Sequence, residues 1–481
     1  MSSLSSPASP ASPSSASSLA NHFADTEVWA ARIAGHASLP DERLTTRLGL
    51  ILAAMAAKPS DSIPQASASS SQAQAMYRFF ANERIGPDDL LRPLADASSD
   101  ACRGLKTMLA VQDTTSLNFS KLRTTTGLGP LNDSAKARGL HLHTTLAVRD
   151  DGVTLGILDQ LYWARPAEGR SAPERRQRVI EDKESRKWLD GIEAAEAAWE
   201  SLPAWERPRL IHVMDREGDI HEVLQHVSAS PHFAIIRCAQ DRSVAGDIDK
   251  AFAAVQAAPV FATISIDLPH TTDRQRSAVL SVRRVALTIT PNATKHPQRQ
   301  PVTWTLLDVR ECDPPAAAEP LHWRLWVNLP VTTLNEVHEV LRFYKFRWRV
   351  EDYHLTLKSG CQIEKLELET ADRLIKAATL YSAVAVRIVA LRDLARVEPD
   401  APCTIVLTGD EWRALWVRFA KKKLTADIQP PTIEQAVRWI GRLGGHLGRK
   451  RDGMPGVRTL WRGFRDLNLL AAGFHAGRTL Q

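Results

Sequence analysis

The chain has 481 residues, 44% of them hydrophobic, and carries 61 lysines and arginines against 55 aspartates and glutamates for a net charge of +6. That length and apolar share exclude a fibrous, collagen-like or wholly disordered chain and predict about three domains at ~100–200 residues each. A balance of +6 on a chain this long is only a faint sign of a polyanionic partner.

No uninterrupted run of ~18 apolar residues is present, so no membrane span is expected. The five cysteines, Cys102, Cys238, Cys312, Cys361 and Cys403, are scattered and odd in number, without a CxxC pair or zinc spacing. They predict neither a disulfide framework nor a metal knuckle, and they fit the reducing cytosol. Residues 1–20 hold ten serines, three prolines, four alanines and no charge, so 1–24 is expected to be a disordered tail rather than a secretory signal.

From Asp25 to about Leu105 the pattern predicts short helices, with Asp41 ahead of the apolar series Leu44, Leu48, Leu50, Ile51 and Met55. Met108–Gln112 then reads as a short apolar strand ending at Asp113. His141–Val148 and Val153–Leu161 alternate as paired antiparallel strands do. A charged helix is expected over 174–202, followed by the buried-type strand Leu210–Met214, a helix from about Ile220 and the strand Phe233–Cys238. Between about 242 and 330 the helical signal disappears. Phe261–Leu268, Ala278–Thr290, Val302–Val309 and Trp323–Leu329 read as strands of an all-β insertion. Helical periodicity returns at Leu334, holds through Lys358, and dominates 372–472.

Asp113 and Asp215 each follow an apolar strand, where carboxylates project past a sheet edge and α/β active sites are built. Two such aspartates and a third carboxylate are the set that holds a pair of Mg²⁺ ions ~3.5–4 Å apart for in-line phosphoryl displacement. An aspartate after a strand is also a common turn former or helix cap, and that alternative stands beside the metal one.

Tyr344, Arg347, Glu351 and Lys358 are spaced by 3, 4 and 7 residues. On one continuous helix they fall within roughly 60° of one another. That face would offer a third carboxylate flanked by phosphate donors. The alternative is an exposed face laced by an Arg347–Glu351 ion pair. It accounts poorly for a tyrosine on the polar stripe and for Arg342, Lys345, Arg347, Arg349 and Lys358 against Glu351 and Asp352.

The pattern Tyr-x2-Arg-x3-Glu-x6-Lys resembles the signature of the IS-four group of insertion-sequence DDE transposases, the group of the Tn5 transposase. Asp113-Thr114-Thr115-Ser116-Leu117 and Val213-Met214-Asp215-Arg216-Glu217-Gly218-Asp219-Ile220-His221 are similar to the segments bearing the family's two catalytic aspartates. Glu184-Ser185-Arg186-Lys187-Trp188, Tyr77-Arg78-Phe79 and Arg442-Leu443-Gly444-Gly445 fall in the matching order, and the resemblance spans roughly residues 26–470.

The resemblance implies an α/β fold: a ribonuclease H-like catalytic core over 106–370, interrupted by the β insertion at about 242–330. A helical amino-terminal DNA-binding domain over 25–105 and a helical carboxy-terminal dimerisation domain over 371–481 complete it. It implies that Asp113, Asp215 and Glu351 bind two Mg²⁺ ions, with Mn²⁺ able to substitute, and that Tyr344, Arg347 and Lys358 hold phosphates at a cleaved transposon end. The implied activity is cut-and-paste transposition through a DNA hairpin. Its partners are double-stranded DNA (terminal inverted repeats and target) and a second subunit in a synaptic complex, in the cytoplasm at the nucleoid. The alternative is an inactive relative that acts as a DNA-binding inhibitor or regulator.

Trp323 lies where the family places an aromatic that stacks on a flipped base; the alternative is a core tryptophan of the insertion, and Trp326 shares the uncertainty of register. Arg237 matches a basic position near DNA or is a plain strand-end charge. Arg43 and Arg47 match part of a DNA-reading helix or form a solvated face. Leu44 and Leu355 stand where relatives carry basic residues. His141 and His143 point to one side of a strand without a third ligand, and His221 lies where it could approach the site. Residues 438–465 carry eight arginines or lysines against Asp452 alone, so the small total charge conceals a local basic surface.

Overall fold

The computed structural model describes residues 26–131, 137–166, 180–268, 276–315, 319–420, 422–425, 427–449 and 452–479. The tail expected at 1–24 lies outside them, as do Lys450 and Arg451 of the basic run. The chain divides into a helical unit, Met1–Ile85 with Arg387–Gln481, and a sheet unit, Gly86–Val386.

The helical unit begins with α1 (Thr26–Gly35), α2 (Glu42–Ala57), α3 (Ile63–Ala66) and α4 (Ser70–Phe80). Asp41 starts α2 because its carboxylate accepts the Arg43 backbone N–H at 2.9 Å, satisfying an otherwise orphaned donor. Leu48, Ile51, Leu52 and Met55, three or four residues apart, form the buried stripe of α2.

The sheet unit opens on α5 (Pro87–Asp100), followed by β1 (Thr107–Asn118), β2 (Gly129–Pro130), β3 (Arg138–Arg149), β4 (Thr154–Trp163) and α6 (Lys187–Glu200). Next come β5 (Arg209–Met214), α7 (His221–Ala229), β6 (Phe233–Arg237), α8 (Ala251–Ala257), β7 (Val260–Leu268), β8 (Arg276–Ile289), β9 (Val302–Cys312) and β10 (His322–Val327). Then α9 (Leu334–Lys345) and α10 (Trp348–Leu355) lead into a wide π-turn at Thr356–Gly360.

All ten strands form one sheet in the order β2-β3-β1-β5-β6-β10-β9-β8-β7, with β4 also paired to β3. β1, β3 and β4 are antiparallel neighbours, whereas β5 and β6 run parallel to β1. The helices α6 and α7 supply the crossovers that parallel neighbours require. With one face covered by α6 and α7, β5 is buried from Leu210 to Met214 and apolar there except for His212, as parallel strands buried on both faces largely are.

Two expectations change here. The segment 242–330 is not all-β, since it contains α8. Nor is it a separate layer: β10 pairs antiparallel with β6, Trp326 opposite Ile236, so the insertion extends the core sheet. Trp326, Trp304, Trp188 and Met214 share one buried cluster that crosses that junction.

Helix α11 (Ala371–Val397) runs from the sheet unit into the helical unit. It is long and apolar enough to cross a membrane, with a mean hydropathy of 1.7, yet 94% of that stretch is buried in the protein, as in a core helix. The helical unit closes with α12 (Gly409–Phe419), α13 (Ile433–Leu443) and α14 (Val457–Thr479), and α14 packs on both of its predecessors. Within the basic run Arg438 is paired with Glu434 at 2.7 Å and Arg465 with Asp466 at 3.2 Å, so part of the local excess is neutralised.

Candidate active site

The last parallel pair between β1 and β5 is Val111 with Val213, and both aspartates lie two residues beyond it. Asp215 directly follows β5, as expected. Its carboxylate accepts the Glu217 N–H at 2.8 Å, so it also caps the turn Arg216–Gly218. Asp113 does not end its strand: β1 continues to Asn118, with Asp113 opposite Thr144 of β3. Thr114, Thr115 and Ser116 resemble a loop in composition, but β3 supplies their ladder partners. The two carboxylates therefore stand side by side where β5 stops and β1 goes on.

The helix expected from Leu334 to Lys358 is broken. Thr333 caps α9 in a capping box with Glu336, and α9 stops at Lys345. After a short break α10 restarts with Arg347 at its amino end, and Lys358 lies in the π-turn, out of α-helical phase with Glu351. Tyr344, Arg347, Glu351 and Lys358 thus come from three backbone segments. Phe346 sits at the break, its ring against Gly152 in the β3–β4 turn, and Arg349 Nε donates to the Gly152 carbonyl at 2.8 Å.

The structure nonetheless gathers these side chains around β1. Arg347 donates to Glu351 at 2.6 Å and lies 3.8 Å from the Asp113 carboxylate. Lys358 Nζ reaches Thr115 Oγ1 at 3.5 Å and Glu364 at 3.8 Å. Tyr344 is buried, with Trp323 edge-on to it at 5.5 Å between ring centroids, and Arg237 hydrogen-bonds to it. Arg237 also donates to the His322 carbonyl. Trp326 is fully buried, whereas Trp323 stays half-exposed beside Tyr344; of the two tryptophans it is Trp323 that borders the site.

Burial pushes the Asp113 carboxyl up to about 7, reinforced by the neighbouring Asp215 and Glu351 charges and opposed by Arg347. Burial also raises Asp215. Carboxylates that repel one another in a dehydrated setting are sites for a cation. Among the described residues, however, no three His, Cys, Asp or Glu side chains form a ready metal cage, and Glu351 is held by Arg347.

Other candidates fall elsewhere. Arg43 is 91% exposed and clamped to Asp41 at 3.1 Å, with Arg47 half-buried one turn on in α2. His143 is buried between Thr114 Oγ1 and Gln112 Oε1, at 2.9 and 3.1 Å. His221 does not approach the carboxylates, because its Nε2 donates to the Gln300 carbonyl at 2.8 Å. Trp348, not among the residues expected at the site, is 54% exposed beneath the Arg347 guanidinium, which lies 4.6 Å from its ring centroid. An aromatic inside a basic helix was the available signal.

Residues 26–85 match the model of the transposase DNA-binding domain, and residues 383–480 match that of the transposase Tn5 dimerisation domain. At both ends, therefore, the chain is similar to the Tn5 transposase, and the two matches support a Tn5-like transposase. The first match supports DNA as a partner and the second supports dimerisation, and the sheet unit occupies the sequence between them. A cryo-EM structure of the piggyBac transposase synaptic complex with hairpin DNA is similar over 92% of this chain and 73% of that one, at 10% identity and a TM-score of 0.32. So distant a likeness transfers no residue roles to the Tn5-like chain.

Proposed function

We propose that this Tn5-like transposase is a cut-and-paste DDE enzyme whose sheet unit is a ribonuclease H-like catalytic core. The strand order β4-β3-β1-β5-β6, an antiparallel meander followed by two parallel strands, supports that core. The observation that carries the proposal is the placement of Asp113 and Asp215 just past the last β1–β5 pair, with Glu351 tied toward Asp113 through Arg347.

Asp113, Asp215 and Glu351 would hold two Mg²⁺ ions, or Mn²⁺ in their place; the burial and the neighbouring negative charge that raise Asp113 are the condition a divalent cation relieves. When bound, such a pair supplies charge stabilisation for the attacking and leaving oxygens of an in-line displacement.

The chain's own residues do the rest. Arg347 and Lys358 hold phosphate oxygens beside the carboxylates, and the Tyr344 hydroxyl adds a neutral donor fixed by Arg237 and Trp323. Trp323 offers a ring face to a base unstacked during hairpin formation. Arg43 and Arg47 contact the terminal repeats, and two copies of the chain hold two ends in one synaptic complex at the nucleoid. Each freed 3′ end then joins target DNA.

The test uses a labelled duplex ending in the terminal repeat of the element that encodes the chain, with Mg²⁺ and purified protein. The expected result is a nick followed by a hairpinned end, both absent in Asp215→Ala. Tight binding with no cleavage by the wild-type chain would replace the enzyme by a DNA-binding inhibitor.

A further inference from the structure

Beside the carboxylates, on the flank away from Trp323, lies a cavity of about 830 Å³. His141 and Trp163 stand on β3 and β4 beyond β1, apart from Arg237 and Trp323 on β6 and β10 beyond β5, and the cavity reaches across β5 to Asp219 and Gln240. The cavity is lined by Thr114–Ser116, which follow Asp113, by Arg216 and Glu217, which follow Asp215, and by Glu184, Ser185, Lys187 and Trp188. A ligand there is a direct neighbour of whatever the carboxylates act on.

Its walls are chemically specific. His141 and Trp163 stack at 5.2 Å and an interplanar angle of 24°. His141 is 95% buried, since only 5% of its surface is exposed; its Nδ1 bonds Ser116 Oγ at 3.2 Å, and the ring also meets the Pro130 backbone. The Trp163 Nε1 is buried and unpartnered. A buried indole N–H without a partner in a stacked pair is costly unless something else satisfies it. Lys187 lies 5.4 Å from the Trp163 ring centroid and 5.8 Å from that of Trp188, and closes the pocket beside the pair.

The charges are nearly balanced. Glu184 is paired with Arg165 at 2.7 Å, Glu217 with Lys187 at 3.2 Å and Asp219 with Arg242 at 2.6 Å. Arg216, exposed at the rim, is left without a carboxylate partner among the described residues. One spare cation suits the single charge of a phosphodiester, and the volume is that of an ordinary small-ligand pocket. The ring pair and the unpartnered Trp163 N–H suit a heterocyclic base with an acceptor on its edge.

We infer that this cavity is a second nucleotide subsite, which lodges one unstacked DNA nucleotide beside the His141–Trp163 stack with its phosphate at Arg216. The inference rests on the proposed phosphoryl-transfer site and extends it to the opposite flank. The nucleotide comes either from the transposon end or from target DNA, and the two sources are separable.

The experiment uses the full-length chain and duplexes carrying 5-iododeoxyuridine at one position at a time near the cleavage site of the transposon end or near the joining site of the target. After irradiation, the crosslinked peptide is mapped. A crosslink to Trp163 or His141 from one register of one of the two DNAs is the expected result, and the DNA that yields it identifies the source. Trp163→Ala should abolish it and slow the reaction of that DNA by about tenfold. Arg216→Ala, at the exposed rim, should lower its yield without changing the melting temperature, which keeps the test informative if Trp163→Ala misfolds. A crosslink absent from both DNAs, or one untouched by Arg216→Ala and by Trp163→Ala, overturns the subsite. Failure of the wild-type chain to cleave any end overturns the proposed enzyme instead, while the crosslink map still reports on the cavity.

Discussion

One guanidinium serves two carboxylates: Arg347 lies 2.6 Å from Glu351 and 3.8 Å from Asp113, so a single cation ties α10 to β1. Only 10% of the Arg347 side chain is exposed, which leaves water little access to replace it. Arg347→Met should slow end cleavage by at least ~100-fold, the scale of losing one preorganised charged donor. Arg347→Lys should recover part of the rate, because the charge returns without the planar fork that spans two acceptors. Single-turnover cleavage of a pre-bound end measures both. Equal rates for Arg347→Met and wild type would remove Arg347 from the site.

The raised Asp113 carboxyl gives stability an unusual pH dependence. With the folded-state value at about 7 and the unfolded one near 4, the folded protein holds a proton that the unfolded chain has lost across that interval. The resulting stabilisation is complete below pH ~4 and disappears as pH rises through about 7. In EDTA, Asp113→Asn should therefore match the wild-type stability near pH 4 and exceed it at pH 8, by an amount on the order of a few kcal/mol. Adding Mg²⁺ should raise the wild-type melting temperature most at high pH, because protons and divalent ions compete for the same oxygens. A wild-type minus variant difference that is flat with pH in EDTA would show that Asp113 titrates normally.

What could be read from the sequence divides by range. The strand Leu210–Met214, Asp215 after it and the strands of the insertion were legible because apolar runs and alternation are local signals. Asp113 was misplaced at a strand end because Thr114–Ser116 are polar; what keeps them in a strand is β3, some thirty residues away. The break at Phe346 was invisible for a similar reason. No glycine or proline marks it, and the cause is a ring lodged against a turn almost two hundred residues earlier. The continuity of the insertion with the core rests on the β6–β10 pairing, which no periodicity encodes.

That turn offers a sharp test. Gly152 has φ +92°, and a Cβ there would lie 2.4 Å from Phe346 Cε1. Gly152→Ala therefore combines left-handed strain with a collision and should cost ~2–3 kcal/mol. Because Phe346 and Arg349 anchor the start of α10, the same change should displace Glu351 and reduce cleavage. Shrinking the ring in Gly152→Ala/Phe346→Leu should return part of the activity, as a coupled pair does. Strict additivity of the two single changes, in melting temperature and in cleavage, would mean that the contact does not set the position of α10.

The two tryptophans of β10 should separate core from site. Trp326 is fully buried in the cluster that joins insertion and core, so Trp326→Ala should cost ~3–5 kcal/mol through the cavity it opens. Its indole Nε1 has no hydrogen-bond partner, so Trp326→Phe should cost far less than the loss of a bonded N–H would suggest. Trp323 is half-exposed and meets Tyr344 edge-on at 5.5 Å, so its removal opens no closed cavity. Trp323→Ala should lower the melting temperature little while slowing hairpin formation about tenfold relative to the first nick, the step that needs no unstacked base. Melting curves for the three variants, together with the ratio of nicked to hairpinned ends, decide the matter. If Trp323→Ala slowed nicking and hairpin formation alike, its ring would be holding Tyr344 in place rather than receiving a base.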